Sequence, residues 1–153
     1  WRLSVIGDGP ERHRLMKKAA RSCRSTCVTW IEGTTDEAVI AREANKARAF
    51  VYGGDVGLSL IHGMGYGLPC LVHNDRSAHM PEIAAFQDGV TGRTFERNSA
   101  LSLGSLIDQL EVEARLDSFS SFALASLANN FNTTAMAAKV DVLCRELDRM
   151  RQK

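Results

Sequence analysis

Residues 49–75 constrain the fold of this chain more than any other stretch, because strand, glycine and helix signals follow one another there in a fixed order. Residues 49–51 form a short apolar run that predicts the end of a buried strand, and residues 70–72 predict the next strand. Between them, Gly53 and Gly54 allow backbone angles that a residue with a Cβ resists. The pattern predicts a strand, a glycine loop, a helix, a turn and a second strand.

The start of that helix is the first candidate binding site. The apolar face of the helix consists of Leu58, Leu60, Ile61 and Met64. The helix is predicted to end at Gly65, Gly67 and Pro69. Backbone N–H groups at a helix N-terminus lack intrahelical partners, and the helix dipole favours anions there. The stretch therefore predicts a phosphate near residues 55–59, at the carboxyl ends of two parallel strands.

Strand and helix signals alternate along most of the chain. Strands are predicted at residues 3–6, 28–31, 49–51, 70–72 and 93–95, with helices between them and helices from Ser99, over 115–129 and over 133–151. Such alternation predicts an α/β fold, in which a Rossmann-like, mainly parallel sheet is flanked by helices and followed by a helical C-terminus.

Several helices carry an apolar face that predicts burial. Leu15 is expected to point inward from the first helix. The last helix has an apolar stripe made of Met136, Val140, Leu143, Leu147 and Met150. We expect this stripe to pack into the core.

Length and composition are those of one globular domain. The chain has 153 residues, of which 44% are hydrophobic and 24% charged, and we expect a single domain over 1–153. The formal net charge of +1 excludes a global field that favours nucleic acid. A modest basic cluster, which comprises Arg12, Arg14, Lys17, Lys18, Arg21 and Arg24, is either a solvated helix face or a surface for anionic lipid.

The four cysteines are Cys23, Cys27, Cys70 and Cys144, and none forms a Cys-x-x-Cys pair. This usage favours buried free thiols over disulfides or zinc. With no spanning run and no signal peptide, we expect a cytoplasmic protein, at the inner face of the membrane as the alternative.

Five segments occur in an order that resembles the group 1 (family 4) glycosyltransferases. They are Leu-Ser-Val-Ile-Gly-Asp-Gly-Pro-Glu, Val-Thr-Trp-Ile-Glu-Gly, Gly-Leu-Ser-Leu-Ile-His-Gly-Met-Gly-Tyr-Gly-Leu-Pro, Pro-Glu-Ile and Asp-Gly-Val-Thr-Gly. The resemblance is to the C-terminal, donor-binding domain of the GT-B fold and covers essentially the whole chain. It implies a retaining transferase that moves a sugar from a nucleotide-sugar, commonly a UDP-sugar, to a glycan or lipid-linked acceptor in polysaccharide synthesis, without a metal or other cofactor.

The resemblance also implies which residues meet the donor. The nucleobase is assigned to the loop at residues 30–33, the diphosphate to the N–H groups of residues 56–59, and one wall of the pocket to Gly7. The full set of candidate donor-binding residues is Gly7, Ile31, Glu32, Gly33, Gly54, Asp55, Val56, Gly57, Leu58, Ser59, His62, His79 and Glu82. No residue is assigned as a certain catalytic residue.

The sequence departs from the family pattern at one motif. The family usually carries Glu-x7-Glu, whose first glutamate holds donor-sugar hydroxyls and whose second holds the donor ribose. The first position falls on Gly54, with Asp55 adjacent, and the second falls on His62. Because Val-Gly-Leu-x-x-Ile-His resembles a branch of the family, we interpret His62 as a natural variant that donates to a ribose hydroxyl or a phosphate oxygen.

Structural roles remain open for the same residues. His62 can be a half-buried packing residue, and Asp55 and Glu82 can simply cap helices. His73, Asp75 and His79 suggest a metal site, but their spacing matches no standard zinc pattern. We therefore expect no metal.

The chain begins within a predicted strand, which suggests a fragment of a longer two-domain enzyme. In the family, an Arg and a Lys near an earlier strand neutralise the diphosphate leaving group, and that strand would lie before Trp1. We expect the 153 residues alone to be inactive. A GT-B epimerase acting on a UDP-sugar and a non-catalytic nucleotide-binding or scaffold module are the alternatives.

Overall fold

The computed structural model describes residues 1–22, 25–112 and 116–151. The chain forms two compact units, Trp1–Lys46 and Ala47–Lys153. In the described residues, every strand pair of both units is parallel. The predicted α/β class, with a parallel sheet, flanking helices and a helical C-terminus, is confirmed.

The first unit pairs two strands. Strand β1 (Leu3–Ile6) lies parallel to β2 (Val28–Ile31), in a register that places Leu3 beside Val28. Helix α1 (Arg12–Ala20) connects them, through a short 3-10 helix, and α2 (Glu37–Ala44) follows β2. Asp36 is the N-cap of α2, since its side chain accepts a hydrogen bond from the Ala38 N–H at 2.9 Å.

The second unit has a three-stranded sheet in sequential order. It contains β3 (Phe50–Val51), β4 (Cys70–His73) and β5 (Gly92–Phe95), with α3 (Leu58–Gly65) between β3 and β4. Two 3-10 helices, Arg76–Ala78 and Pro81–Ala85, lie between β4 and β5. The C-terminal helices are α4 (Ala100–Val112), α5 (Leu116–Asn130) and α6 (Thr133–Arg151).

Strand β4 is the centre of the second unit, and all four of its residues are buried. Because side chains alternate along a strand, Cys70 and Val72 join an apolar cluster with Leu60 and Met64 of α3, whereas Leu71 joins a cluster with residues of β5, α4 and α5. Full burial of one such aliphatic side chain contributes about 1.5–3 kcal/mol. The strand is therefore held from both faces.

Burial also controls the chemistry of the thiol in β4. It raises the pKa of Cys70 to about 12, so this cysteine stays protonated at neutral pH. Cys144 is exposed on α6 and Cys27 is partly buried, while Cys23 lies outside the described residues. The predicted buried free thiol is thus confirmed for Cys70 and is wrong for Cys144.

Three predictions of burial are wrong. The stripe on α6 is exposed, from 49% at Leu147 to 71% at Met150, because the core is already closed by α3, α4 and α5. Leu58 is 74% exposed, since it lies about 200° around the helix from the buried Leu60. Leu15 of α1 is also exposed. None of the described helices has the length and hydropathy needed to cross a membrane.

Two glycines of the second unit provide a matched test of the packing. A Cβ on Gly92 would lie 1.9 Å from the Cys70 carbonyl oxygen, whereas a Cβ on Gly104, inside α4, would meet nothing within 4 Å. We expect Gly92→Ala to lower the free energy of unfolding by at least about 2 kcal/mol. Gly104→Ala should raise it by about 0.5–1 kcal/mol. Urea denaturation followed by circular dichroism measures both, and equal effects would contradict the β4–β5 register.

The thiols provide a second test. In the native chain at about pH 8, iodoacetamide should alkylate Cys144 and spare Cys70, because the thiolate is the nucleophile and Cys70 is both buried and protonated. Peptide mass spectrometry measures the two rates. In denaturant both cysteines should react, and equal rates in the native state would show that β4 is not buried.

Candidate functional site

The carboxyl ends of β3, β4 and β5 lie at one edge of the sheet, because the three strands are parallel neighbours. Polar side chains follow each strand at this edge: Asp55 after β3, His73 at the end of β4 and Arg97 after β5. Ligands of open α/β sheets bind at such edges. The second unit therefore has its candidate site here.

One carboxylate oxygen joins the three strand ends. Asp55 Oδ1 accepts from His73 Nε2 at 3.1 Å and from Arg97 Nη2 at 2.9 Å. Arg97 also donates through Nη1 to Asp75 Oδ2 at 2.9 Å. His73 is 2% exposed, whereas the Asp55 side chain is 46% exposed. Asp55 is thus held by two donors at one oxygen.

The charge state of Asp75 suits this arrangement. The Ser77 hydroxyl donates to Asp75 at 2.7 Å, and this bond, together with the Arg97 guanidinium, holds the pKa of Asp75 below its ordinary value of 3.8. A lowered pKa keeps the carboxylate ionised at neutral pH. Its stabilising contribution is therefore present at neutral pH and is lost only as the pH falls into the acid range.

The backbone of Val56 is held by the segment that follows β4. Its N–H donates to His79 Nδ1 at 3.0 Å, and its carbonyl accepts from the Met80 N–H, also at 3.0 Å. His79 Nε2 lies 2.9 Å from the His73 carbonyl oxygen. Because a backbone N–H can only donate, Nδ1 of His79 is the acceptor, and the proton sits on Nε2, which donates to His73.

The two histidine rings stack, with centroids 3.8 Å apart and planes inclined by 18°. In the described part of the chain, His73 Nδ1 is buried without a hydrogen-bond partner. The residues that raised a metal hypothesis, His73, Asp75 and His79, are engaged in hydrogen bonds with protein groups. Among the described residues there is no group of three or more ligating side chains.

The N-terminus of α3 lies beside the same segment. Gly57 is its N-cap, and a Cβ there would lie 3.4 Å from Met80 Cγ and 3.9 Å from Glu82 Oε2. In the described residues, that Glu82 oxygen is buried and has no partner. Leu58 is exposed and Ser59 is half-buried at the helix start. The structure therefore brings most of the predicted residues of this unit together around one helix end.

The remaining two predicted residues of this unit, Gly54 and His62, are exposed on either side of the start of α3. Gly54 is exposed in the loop before the helix, with Tyr52 as its nearest neighbour. His62 is exposed and lies one turn into α3 from Leu58. This exposure does not fit a half-buried packing residue, and it leaves the imidazole accessible to a ligand.

In the first unit, the predicted residues lie where β1 and β2 end. The Gly7 N–H donates to the Ile31 carbonyl at 3.2 Å, and Arg12 donates to the carbonyls of Gly7 and Ile31. The Gly33 N–H donates to Asp8 Oδ2 at 2.5 Å. Gly7 has φ +152°, which favours glycine. Glu32, between Ile31 and Gly33, is exposed.

Three residues that organise these loops are not among the candidate donor-binding residues: Arg97, Asp8 and Arg12. Arg97 could have been found from its place two residues beyond β5, since strand ends of a parallel sheet share an edge. Asp8 and Arg12 form an ion pair at a separation of four residues, with N and O 3.3 Å apart. That spacing occurs too often on helix surfaces to be a signal.

The similarity of this chain to known proteins lies at the level of the fold. No family model matches the chain, and no curated protein matches it. Solved structures do match. The pneumococcal O-GlcNAc transferase GtfA, in complex with UDP and GlcNAc, is 17% identical with a TM-score of 0.74, over 95% of this chain and 29% of that chain.

Two further structures agree. Sucrose-phosphate synthase from Thermosynechococcus elongatus is 21% identical with a TM-score of 0.77, over 97% of this chain and 39% of that one. Anabaena Alr3699/HepE in complex with UDP is 14% identical with a TM-score of 0.78, over 95% and 41%. This chain thus spans less than half the length of each of these proteins. Its fold is that of the C-terminal domain of GT-B glycosyltransferases.

Proposed function

We propose that this chain is the donor-binding domain of a retaining glycosyltransferase of the group 1 (family 4) type, which takes its sugar from a UDP-sugar. The observation that carries the proposal is the start of α3, where a glycine loop at a strand end presents backbone N–H groups. The fold likeness to glycosyltransferases solved with UDP supports it.

The diphosphate is proposed to lie on the N–H groups of Gly57, Leu58 and Ser59. In the described part of the chain these groups have no acceptor, as is usual for the first residues of a helix. The N–H of Val56 differs, because it is already donated to His79. The anion would therefore bind one residue further along than the sequence alone indicates.

The sugar and ribose contacts are proposed for the positions of the absent glutamates. Asp55 Oδ1 is engaged by His73 and Arg97, which leaves Oδ2 as the oxygen for a donor-sugar hydroxyl. Gly54, beside it, allows the backbone to come close to the donor. His62 would donate to the ribose or to a phosphate oxygen.

Glu82 is proposed to be a sugar contact near the same helix end. Its buried oxygen beside Gly57 has no partner among the described residues, and a buried carboxylate oxygen without a partner is costly. A hydroxyl of the donor would supply that partner. In the first unit, the nucleobase is assigned to Ile31, Glu32 and Gly33, with Gly7 at the pocket wall, on the resemblance alone.

The complete enzyme is proposed to act in the cytoplasm or at the inner face of the membrane, on a glycan or lipid-linked acceptor, without a bound metal. Its leaving group still needs positive charge, because stabilising the departing diphosphate lowers the barrier. By the resemblance, the Arg and Lys that supply this charge belong to a part of the enzyme outside these 153 residues.

UDP binding tests the proposal directly. The chain should bind UDP in isothermal titration calorimetry, and His62→Ala should weaken the affinity about tenfold, which corresponds to one lost hydrogen bond of about 1.4 kcal/mol. His13→Ala, which removes an exposed histidine of α1, should leave the affinity unchanged. Circular dichroism confirms that each variant is folded.

Two results would contradict this prediction. Failure of UDP, GDP and sugar nucleotides to bind at millimolar concentration would favour a scaffold module over a donor-binding domain. Unchanged affinity in a folded His62→Ala variant would show that His62 does not contact the nucleotide.

An assay of sugar transfer distinguishes a donor-binding domain from a complete enzyme. The 153 residues alone should transfer no sugar from a UDP-sugar, since they span 29–41% of the glycosyltransferases named above. Product analysis by mass spectrometry, with and without a glycan or lipid acceptor, measures this. Turnover by the pure chain would contradict the prediction. Formation of an epimer by the full-length protein would instead favour an epimerase, which would need carboxylates where Gly54 and His62 stand.

A further inference from the structure

We propose that His79 is a positioning residue, whose neutral ring fixes the backbone at Val56 and so presents the N–H groups of residues 57–59 to the diphosphate. This inference rests on the proposed function. It gives His79 a role different from direct contact with the donor, the role implied by the family resemblance.

The backbone of Val56 is attached to the segment that follows β4. Both of its backbone polar groups are bound by consecutive residues, the N–H by the His79 ring and the carbonyl by the Met80 N–H. Its side chain is fully buried in the apolar cluster around β4. Val56 is thus fixed on three sides, and it directly precedes Gly57, the N-cap of α3.

The residues on either side of Val56 also have neighbours outside the loop. Asp55 is held by His73 and Arg97, and Met80 lies where a Cβ on Gly57 would make van der Waals contact with it. Each of residues 55 to 57 therefore has a neighbour in the segment that begins at the end of β4, and Asp55 has a second one in Arg97 after β5. A preorganised set of N–H groups binds an anion without the entropic cost of ordering the loop.

The His79 ring is itself fixed by protein groups. His79 uses both nitrogens inside the protein, Nδ1 as acceptor for Val56 and Nε2 as donor to the His73 carbonyl. Stacking on the buried His73 ring fixes its plane. A donor molecule could reach a His79 nitrogen only by replacing one of these bonds, so the ring acts through Val56.

Three substitutions in the full 153-residue chain separate the two nitrogens. Asn places an acceptor near the position of Nδ1, Gln places its amide near the position of Nε2, and Ala removes both. His79→Ala and His79→Gln should weaken UDP binding about tenfold or more in calorimetry, whereas His79→Asn should stay within about threefold of the unchanged chain. His13→Ala serves as the matched control, because it removes an exposed histidine from another element.

A second measurement does not depend on UDP. Long-range proton–nitrogen correlation spectra of the free chain should show the His79 proton on Nε2, with Nδ1 unprotonated. The Val56 amide resonance should shift in His79→Ala and His79→Gln and stay near its place in His79→Asn. These signatures report the bond itself, which a general loss of stability would not move selectively.

The outcomes are distinguishable. A proton on Nδ1, unchanged UDP affinity in a folded His79→Ala variant, or rescue by Gln and not by Asn would each overturn the role of His79 while the proposed function stands. Absence of UDP binding by the unchanged chain would overturn the proposed function, and the inference with it.

Discussion

The parallel pairing of β4 with β3 and β5 is the constraint on which the rest of the second unit depends. All four residues of β4 are buried, and its side chains pack into apolar clusters on both faces of the sheet. This packing fixes the position and the register of the strand. The register at Gly92 allows no side chain, because the Cys70 carbonyl occupies that space. Because all three strands then end at one edge, the loops that follow them meet there, and the candidate site is a consequence of the core.

At that edge, polar groups are paired with one another before any ligand arrives. Asp55 receives two donors, Arg97 spans two carboxylates, and His79 links Val56 to His73. This network holds Asp55 and Val56, the two residues that directly follow Gly53 and Gly54. The exceptions are the buried Glu82 oxygen and His73 Nδ1, which have no partner in the described part of the chain. Glu82 is the one that lies next to the helix start.

The likeness to GT-B structures concerns the fold, whereas the roles of individual residues depend on their local contacts. The fold follows from the structural matches, while sequence identities of 14–21% carry no residue roles. At the two positions where the sequence resemblance would place glutamates, this chain has Gly54 and His62. The proposed role of the domain therefore depends on the start of α3 and on the contacts that hold it. The apolar stripe of α6 is exposed in the described part of the chain.

The sequence by itself determined the element order, the parallel α/β class, the burial of Cys70 and the glycine loop that opens into α3, because these depend on periodicity and breaker residues within short windows. Only the tertiary structure decided the contact of Arg97 with Asp55, 42 positions apart, and that of Val56 with His79, 23 apart. Such contacts join residues far apart in the chain, and the packing of whole strands and loops against one another brings them together. The same holds for α6: an apolar stripe predicts a helix, but whether it is buried depends on whether the core still has room.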